Sequence, residues 1–543
     1  MNCSYFCGKI QHYRAVIRPD TTTQRIRVKQ LKRKKKVSGW NIASAVVLTV
    51  VLLIEGFLAF QVWKLKMIPT PLFLILLAVL AVIPAVLSLL LFQRTGKWEK
   101  KKRGHGKQIV AYILCAVLVA GCLYGCSVLY EVNDTLTSIT SPAKVHVLLE
   151  VYVMAEDPAQ AIEDTGNYVF GISDSVAEED NQGAIADIEK KLGAAITTKR
   201  YPSVFAMIDG LYAGEVNAII LEGSYMTIMD SVEGYEDFSS RVRFVHEHVI
   251  EKEVPQMEVP GEDGPEAMVI PEVRDITKTP FLLYISGNDA RRQYLADGGS
   301  DVNIMVVVNP NTRQVLMINT PRDYYVPNPA SGNDSRDKLS HCGLKGINNS
   351  VQAMTKLYGH TINYYAKINF SGFKTLVDAM GGVTVDVEIP FNSGTYYFHE
   401  GENYMNGDMA LSFVRVRKAF ASGDNQRGKN QMRMITGMIN KLSSGTILTN
   451  YGAILDSLEG MFVTSMPADQ IGQLVQMQLI ERPSWDIKTF AVTGDNGNDS
   501  CWAVGGGKGY VMYPHEDEVE HASDLIGRML NGEVITDEDL IVK

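Results

Sequence analysis

Acidic side chains are almost absent from the first 107 residues, which hold 20 lysines and arginines but only Asp20, Glu55 and Glu99. The rest of the chain carries 32 basic and 58 acidic residues. Because nucleic acids attract basic surfaces, an acidic body of this size argues against a nucleic-acid partner. A basic end joined to an acidic body indicates instead that a membrane separates the two.

Sulfur ligands and nucleotide-binding motifs are also scarce. The chain has seven cysteines, and no CxxC pair or histidine cluster indicates zinc. The GGGKG run at 505–509 lacks the spacing of a phosphate-binding loop, which excludes a P-loop. Only Cys342 and Cys501 follow the apolar runs described next; they are a candidate disulfide, although the sequence does not show that they meet.

Three apolar runs near the start of the chain are each long enough to cross about 30 Å of hydrocarbon, which takes about 20 residues. They lie at Trp40–Trp63, Ile68–Phe92 and Gln108–Tyr130. An ionised carboxylate is costly in the middle of such a run. Glu55 is therefore either paired with a partner helix or subunit, or protonated.

Basic residues fix the predicted orientation of these runs. They crowd at 25–36, before the first run, and at 94–107, between the second and third. The positive-inside rule places both segments in the cytoplasm, so an odd number of crossings exports everything after about residue 131. The sequence thus predicts a multi-pass cell-membrane protein with a cytoplasmic N-terminus and extracytoplasmic main domains.

The exported region shows two stretches in which strand-like and helix-like runs alternate, with an acidic, Pro-rich stretch between them. In the larger stretch the apolar strands are nearly continuous, which predicts a mixed sheet covered by helices on both faces. The predicted parts are a basic cytoplasmic N-terminus (1–39), three transmembrane helices (40–130), a small α/β accessory domain (131–250), a linker (251–279), a larger α/β domain (280–530) and a C-terminal tail (531–543).

The stretch 411–431 gathers cationic side chains. Arg415 and Arg417 are two apart in an alternating run, so a strand would point both to one side. Arg427 and Gln431 are four apart after a Gly-Asp-Asn turn, on one face of a predicted helix. Guanidinium groups packed this closely repel one another unless an anion lies between them, and phosphate fits their fork geometry. The stretch therefore predicts a phosphate-binding site.

Carboxylates stand at the ends of the first two predicted strands of the larger domain. Asp289 follows one strand and Asp301 opens the next, so the two can share one edge of a sheet. Such a pair suits a hard divalent cation, and the alternative is that both residues only form turns or cap strands. Arg322, after the third strand, either adds a phosphate donor or forms a surface salt bridge with Asp323.

Together these pieces resemble the LytR–CpsA–Psr (LCP) family over about residues 280–530. The matching motifs occur in order: SGNDARR…GGSDVNIMVVVNP, MINTPRDYYVP, DKLSHCGLKG, YYAKINFSGFKTLVDAMGGVTVDV, MNGDMALSFVRVRKAFASGDNQRGKNQ and YVMYP. Three spans followed by an accessory domain are similar to the organisation of the capsule-associated, CpsA-type members.

The resemblance implies an LCP-type fold and a cell-envelope phosphotransferase, a type found mostly in Gram-positive bacteria. Such proteins move a glycopolymer (teichoic acid, capsular or other wall polysaccharide) from a polyprenyl-diphosphate carrier to peptidoglycan. By matching position, it implies Mg²⁺ or Mn²⁺ on Asp289 and Asp301. It further implies a set of residues that bind the diphosphate or act in catalysis: Arg322, Lys338, Arg415, Arg417, Asp424, Arg427 and Gln431. Asp424 is the candidate proton acceptor among them.

One position departs from the family pattern. Many members have Arg-Ser-Asp where this chain has Gly299-Ser300-Asp301, so an arginine on the phosphate side is missing. Either Arg291 or Arg292 substitutes for it, or the site binds its ligand more weakly.

Two other functions remain open from the sequence. A non-catalytic membrane sensor or assembly factor would bind polyprenyl-diphosphate lipids without turning them over. A simple lipid pyrophosphatase would cleave them without passing the glycan to an acceptor.

Overall fold

The computed structural model describes residues 39–66, 68–92, 106–140, 144–229, 232–253, 258–261, 264–269, 273–289, 295, 298–420, 423–443, 454 and 457–542. Their mixed α/β architecture, preceded by apolar helices, agrees with the predicted fold class.

Three of the described helices are long and apolar enough to cross a membrane, by length and composition. They are α1 (Gly39–Leu65), α2 (Thr70–Leu91) and α3 (Gly106–Thr140). They coincide with the three predicted runs, except that α3 continues past Tyr130 to Thr140. Glu55 is buried, and neither of its carboxylate oxygens has a hydrogen-bond partner among the described residues.

The last turns of α3 pack against the larger domain. Val132, Leu136 and Ile139 are buried in one apolar cluster with Leu458. Four further residues of the larger domain border this cluster, namely Ile368, Leu376, Phe462 and Ala468. The extension of α3 beyond the predicted span is therefore part of a folded interface.

The accessory domain is a five-stranded mixed sheet with helices against it, as predicted. Its elements are β1 (Lys144–Met154), β2 (Val169–Ser173), α4 (Glu178–Leu192), β3 (Thr197–Tyr201), α5 (Val204–Tyr212), β4 (Ala218–Glu222), α6 (Phe238–Arg241) and β5 (Val242–Glu253). The strand order is β3-β2-β4-β1-β5. Strand β2 is parallel to β3 and β4, whereas β1 is antiparallel to β4 and β5.

The accessory domain shares an apolar core with the larger domain. The cluster around α5 and β4 also contains Leu344, Cys501, Val504 and Val511, which come much later in the sequence. The GGGKG run at 505–509 lies at this contact, where the backbone N–H of Glu233 donates to the carbonyl of Lys508 at 3.1 Å. This run, which was excluded as a nucleotide-binding motif, therefore contacts the accessory domain.

The predicted linker is not wholly irregular. It contains an antiparallel hairpin of β6 (Glu258–Gly261) and β7 (Gly264–Val269).

The larger domain is built on a six-stranded mixed sheet of order β18-β13-β8-β9-β10-β19. Its elements are β8 (Phe281–Asn288), β9 (Val302–Asn309), β10 (Gln314–Asn319), β11 (Tyr325–Pro327), β12 (Arg336–Lys338), α7 (Leu339–Cys342), α8 (Ile347–Tyr358), β13 (Tyr364–Asn369), α9 (Phe370–Ala379), β14 (Val383–Val387), β15 (Phe391–Ser393), β16 (Tyr396–Phe398), β17 (Gly401–Met405), α10 (Gly407–Arg415), α11 (Asp424–Lys441), β18 (Phe462–Thr464), α12 (Ala468–Glu481), β19 (Asp486–Ala491), β20 (Gly494–Ser500), β21 (Lys508–Pro514) and α13 (Glu516–Leu530).

Helices cover both faces of this sheet, which confirms the prediction from its nearly continuous apolar strands. Alternate residues of β9 point to opposite faces. Met305 and Val307 join the core that contains residues of α8 and α13, whereas Ile304 and Val306 pack with Met432 of α11.

One predicted element is wrong. The alternating run that carries Arg415 was predicted as a strand, but 407–415 form helix α10. Ala410, Phe413 and Val414 are buried at helical spacing, and the side chain of Asn406 caps the first turn. The alternation of polar and apolar residues is only a few residues long, so it does not override these helix signals.

Candidate active site

The first two strands of the larger domain bring two carboxylates to one edge of the sheet. Strands β8 and β9 are antiparallel, with Gly287 opposite Val302. The backbone N–H of Asp301 donates to the carbonyl of Gly287 at 2.7 Å. Asp289 is the first residue beyond β8, so the register sets it beside the segment that contains Asp301.

A chain of ion pairs, partly exposed at Asp301 and buried at its other end, extends across the neighbouring strand ends. The Arg322 guanidinium, just beyond β10, forms an ion pair with Asp301 and lies 3.6 Å from the carboxylate of Asp323. On its other side Asp323 lies 3.7 Å from the ammonium of Lys338, at the end of β12. Asp323 and Lys338 are both buried. Arg322 is partly exposed, but it pairs with both Asp301 and Asp323, so it does more than form the single salt bridge with Asp323 left open from the sequence.

The first turn of α11 adds the next charges. Gly423 precedes it at φ +44°, a conformation that favours glycine. Asp424 begins the helix, where the helix dipole stabilises a negative charge. Its carboxylate lies 2.7 Å from the Arg427 guanidinium and 3.4 Å from that of Arg417. Arg427 also donates to the backbone carbonyl of Asp301 at 3.2 Å, which joins α11 to the ion-pair chain.

We call the residues joined in this way the charged cluster: Asp301, Arg322, Asp323, Lys338, Arg417, Asp424 and Arg427.

Burial and neighbouring charges shift two groups of the charged cluster. Burial raises the pKa of Asp424 to about 6; Arg417 and Arg322 lower it, while the like charges of Asp323 and Asp301 raise it further. Burial lowers the pKa of Arg322, but the carboxylates of Asp301 and Asp323 outweigh burial and the net shift is upward. Arg322 is therefore a permanent cation, and Asp424 changes its charge close to neutral pH.

An apolar cavity of about 250 Å³ begins beside the charged cluster. Gln431, one turn after Arg427 on α11, lines it and donates to the carbonyl of Val414 at 3.3 Å. The Arg415 guanidinium lies 5.0 Å from the ring centre of Phe370, another lining residue. Arg415 and Gln431 therefore both stand beside the cavity.

The far part of this cavity adjoins the last turns of α3. Ile368, Leu376 and Phe462 line the cavity, and the same three residues border the cluster formed by the last turns of α3. An apolar space therefore runs from the charged cluster toward α3.

The charges at this sheet edge leave room for an anion. The basic side chains are Arg322, Lys338, Arg415, Arg417 and Arg427, and the acidic ones are Asp289, Asp301, Asp323 and Asp424. The buried Nε atoms of Arg322 and Arg427 make no hydrogen bond to any residue that the structure describes. The Nε of Arg322 nevertheless faces the Asp323 carboxylate at 3.6 Å, so the guanidinium groups as a whole, rather than free Nε atoms, are suited to phosphate oxygens.

The sheet edge also fits a divalent cation. Mg²⁺ commonly uses one or two carboxylates together with substrate phosphate oxygens. Asp289 and Asp301 supply two carboxylates at adjacent strand ends, and the Arg322 guanidinium forms an ion pair with Asp301.

Comparison with known proteins shows the family in which this site occurs. The LytR_cpsA_psr family model matches residues 251–520, which include the whole charged cluster. This chain belongs to the LytR–CpsA–Psr family.

Two relatives carry the name polyisoprenyl-teichoic acid–peptidoglycan teichoic acid transferase TagU. The protein of Oceanobacillus iheyensis is 35% identical over 185 residues, which cover 33% of this chain and 57% of the relative. The protein of Bacillus mycoides is 32% identical over 202 residues, which cover 37% of this chain and 65% of the relative. The match thus spans less than two thirds of either relative. The crystal structure of B. subtilis TagV is similar to 47% of this chain and 99% of its own, with 24% identity and a TM-score of 0.40.

The glycine that departs from the LCP pattern has a structural reason. A Cβ atom at Gly299 would lie 3.3 Å from the backbone carbonyl oxygen of Ser340. The loop is held there because the N–H of Ser300 donates to the same carbonyl at 3.0 Å. A side chain at position 299 would therefore be tight, and the loop or α7 would have to shift by a few tenths of an ångström. The suggested substitutes, Arg291 and Arg292, lie outside the described residues.

The candidate disulfide is not formed. Cys342 and Cys501 are both free, buried thiols. Burial raises the pKa of Cys501 to about 12, and the charge of Asp337 adds to the shift. His341 Nδ1 donates to the Asp337 carboxylate at 2.6 Å in the same buried region, so both side chains belong to the folded core there.

Two features of this LCP site were missed from the sequence. Asp323 was noted only as a salt-bridge partner, although it connects Arg322 to Lys338; its position in the PRD motif was the available signal. The apolar cavity was not placed, because its lining comes from residues as far apart as Ile285 and Phe462.

Close packing beside Arg427 gives a test of how the site is positioned. A Cβ atom at Gly428 would lie 2.0 Å from Oδ1 of Asn319, a buried residue at the end of β10. We expect Gly428→Ala to lower the free energy of unfolding by about 1–3 kcal/mol, because overpacking forces α11 and β10 apart. Thermal unfolding of the full chain measures this effect.

The control is Gly166→Ala, at a glycine with φ −56° and no neighbouring atom within 4 Å of the added Cβ. It should leave stability within about 0.5 kcal/mol or raise it slightly. If Gly428→Ala and the wild type unfold at the same midpoint temperature, the packing argument is contradicted.

Proposed function

We propose that this chain is a membrane-anchored phosphotransferase that moves a glycopolymer from a polyprenyl-diphosphate carrier to peptidoglycan. The observation that carries the proposal is the junction of the charged cluster with an apolar cavity that runs toward α3. A polyprenyl diphosphate has the same two chemistries, an anionic head joined to an apolar chain. The TagU relatives, named for teichoic acid transfer to peptidoglycan, support the same reaction class.

The membrane topology is part of this proposal. With the N-terminus and the 94–107 loop in the cytoplasm, both α/β domains lie on the outer side, where peptidoglycan is assembled. The end of α3 would then hold the cavity close to the outer leaflet, so the lipid chain could enter it without crossing water.

The mechanism follows from the arrangement of charge. Phosphoryl transfer depends mainly on positioning and on stabilising negative charge, so it needs no covalent nucleophile from the protein. Arg322 and Arg427 are held in place by carboxylates and supply positive charge beside the diphosphate. Arg415 and Arg417 lie nearer the surface and complete the binding of the head group. Asp424 accepts the proton of the attacking hydroxyl.

A divalent cation is the proposed cofactor. Mg²⁺ or Mn²⁺ on Asp289 and Asp301 would supply positive charge that neutralises part of the diphosphate. The side chains at this edge carry five positive and four negative charges. Their small net positive charge does not balance the negative charge of a diphosphate diester on its own.

A transfer assay tests the function. The full chain in lipid nanodiscs receives a short-chain polyprenyl-diphosphate glycan and uncrosslinked peptidoglycan, and we expect glycan-linked peptidoglycan and polyprenyl phosphate as products. Arg427→Lys should lower kcat/KM about 10²–10³-fold, because lysine cannot reproduce the fork of donors. Arg200→Lys, at an exposed ion pair of the accessory domain, is the matched control and should have wild-type activity.

Two results would replace this proposal with the other candidate functions. Binding of the lipid without turnover, even with acceptor present, would indicate a sensor. Release of polyprenyl phosphate that acceptor never captures would indicate a pyrophosphatase.

The raised pKa of Asp424 predicts the acid limb of the pH profile. Above about pH 6 the carboxylate is ionised and can accept a proton, and below it the protonated form cannot. We expect kcat/KM to fall about tenfold for each pH unit below this value, since this ratio reports groups of the free enzyme. Asp424→Asn should lower activity and remove the limb, whereas Asp334→Asn, at an exposed position, should keep it. An unchanged limb in Asp424→Asn would exclude this residue as the base.

Metal dependence is tested by chelation and titration. Removing divalent cations should abolish transfer, and added Mg²⁺ should restore it. Asp301→Asn should raise the Mg²⁺ concentration for half-maximal activity about tenfold or more, because one of two charged ligands is lost. Asp524→Asn, on the exposed side of α13, serves as the control. Full activity in excess chelator would refute the cofactor assignment.

A further inference from the structure

Helix α11 separates two cavities of opposite character. One face lines the apolar cavity with Gln431, Met434, Ile435, Met438, Ile439 and Leu442, the last of these just beyond the helix. The opposite face lines a second cavity with Lys429, Met432, Arg433, Thr436, Gly437 and Asn440. Both sets repeat at intervals of three and four residues, so each occupies one side of the helix. The helix therefore acts as a wall between the two cavities.

The second cavity, which we call the polar groove, has a volume of about 530 Å³ and lies between α11, β14, β17 and β19. Thr384, Thr436, Thr489 and Asn440 give it hydroxyl and amide groups, while Ile487 adds an apolar patch. Such a mixture of hydrogen-bonding groups and small apolar patches suits a hydrated, neutral or weakly charged chain.

The charges of the polar groove are of both signs, with a small negative excess. Arg433 is neutralised within the groove, since its guanidinium lies 2.6 Å from Glu388 and 3.7 Å from Asp386. Lys429 and Glu402 are exposed, and neither forms an ion pair with any residue in the described part of the chain. Three carboxylates against two cations disfavour a phosphate-rich polymer, because like charges repel one another in a confined space.

One end of the polar groove opens at the same sheet edge as the charged cluster. Strands β10 and β19 are parallel, and Asn319 pairs with Ala491, a lining residue of the groove. Asn319 packs against Gly428, next to Arg427, and precedes Arg322 by three residues. The start of α11 therefore lies where the two cavities and the charged cluster meet.

The proposed reaction requires two approaches to one phosphorus atom. In an in-line displacement the attacking and leaving oxygens lie on opposite sides of the phosphorus. If the lipid, which carries the leaving oxygen, occupies the apolar cavity on one side of α11, the nucleophile has to arrive from the other side. The polar groove is on that side.

We propose that the polar groove binds the acceptor, a segment of peptidoglycan with hydroxyl, amide, amino and carboxylate groups. This inference rests on the proposed function and adds to it the place where the acceptor lies. Lys429 would bind an acceptor carboxylate and Glu402 an amino group or hydroxyl. A donor polymer rich in phosphate, such as a teichoic acid, is disfavoured here by the excess of carboxylates.

The step balances as follows. An acceptor hydroxyl oxygen forms a bond to the phosphorus that bears the glycopolymer. The bond from that phosphorus to the bridging oxygen breaks, and the bridging oxygen leaves with its electron pair as part of polyprenyl phosphate. The hydroxyl proton passes to a base of the site and then to water.

Filling the polar groove should impair use of the acceptor without affecting the donor. Thr489→Trp places an indole in the groove from β19, the edge strand of the six-stranded sheet. We expect KM for uncrosslinked peptidoglycan to rise about tenfold or more, as when one or two hydrogen bonds are lost. Release of polyprenyl phosphate to water, measured without acceptor, should stay at the wild-type rate. The full chain in nanodiscs is used throughout.

Thr198→Trp is the matched control, because Thr198 is exposed on β3, the edge strand of the accessory-domain sheet. It should leave both the KM for peptidoglycan and the rate of polyprenyl phosphate release unchanged. A second, conservative pair guards against misfolding of the tryptophan variant: Glu402→Gln, which removes a charge from the groove, against Glu400→Gln, which removes one outside it. Only Glu402→Gln should raise KM for the acceptor.

Each result has one interpretation. A raised acceptor KM with unchanged release to water supports the acceptor site. Wild-type KM in both Thr489→Trp and Glu402→Gln would overturn it, as would an equal loss of transfer and release, which would assign the groove to the donor. If the wild-type chain links no glycan to peptidoglycan, the proposed function itself fails and this inference falls with it.

Discussion

The site depends on the burial of alternating charges at one edge of the six-stranded sheet. Asp301, Arg322, Asp323 and Lys338 each contact a partner of opposite sign, and together they tie the ends of β9, β10 and β12. Taking such charges out of water is costly, and removing one partner leaves an uncompensated charge. The cluster therefore contributes little to stability, and its benefit is a set of cationic donors fixed in direction before any ligand arrives.

Much of this arrangement could be predicted, because it is encoded in short motifs. The positions of Asp289 and Asp301 follow from two adjacent strand ends, and Arg427 and Gln431 are four apart on a helix that begins close to the predicted position. The helix around Arg415 was mistaken for a strand, since a few alternating residues outweighed the spacing of buried Ala410 and Phe413. Local patterns of that length do not distinguish the two structures.

Features built from distant segments could not be predicted. The inward direction of Asp323 is decided by Lys338 on another strand, and both cavities are closed by elements from separate parts of the chain. The same holds for Gly299: the sequence shows only that an arginine is missing, whereas the structure shows that the carbonyl of Ser340 leaves little room for a side chain. Tertiary contacts, rather than propensity, determine these positions.

The core shared between the two α/β domains bears on the order in which the chain can fold. Part of the apolar cluster of the accessory domain is supplied by Cys501, Val504 and Val511, more than 240 residues beyond β5. Contacts so far apart in sequence form slowly, because a long loop has to close before they are made. The accessory domain is synthesised before the larger domain, yet its core stays incomplete until β21 emerges. The first α/β domain to be made is thus among the last to be finished, and its apolar surface needs protection in the interval.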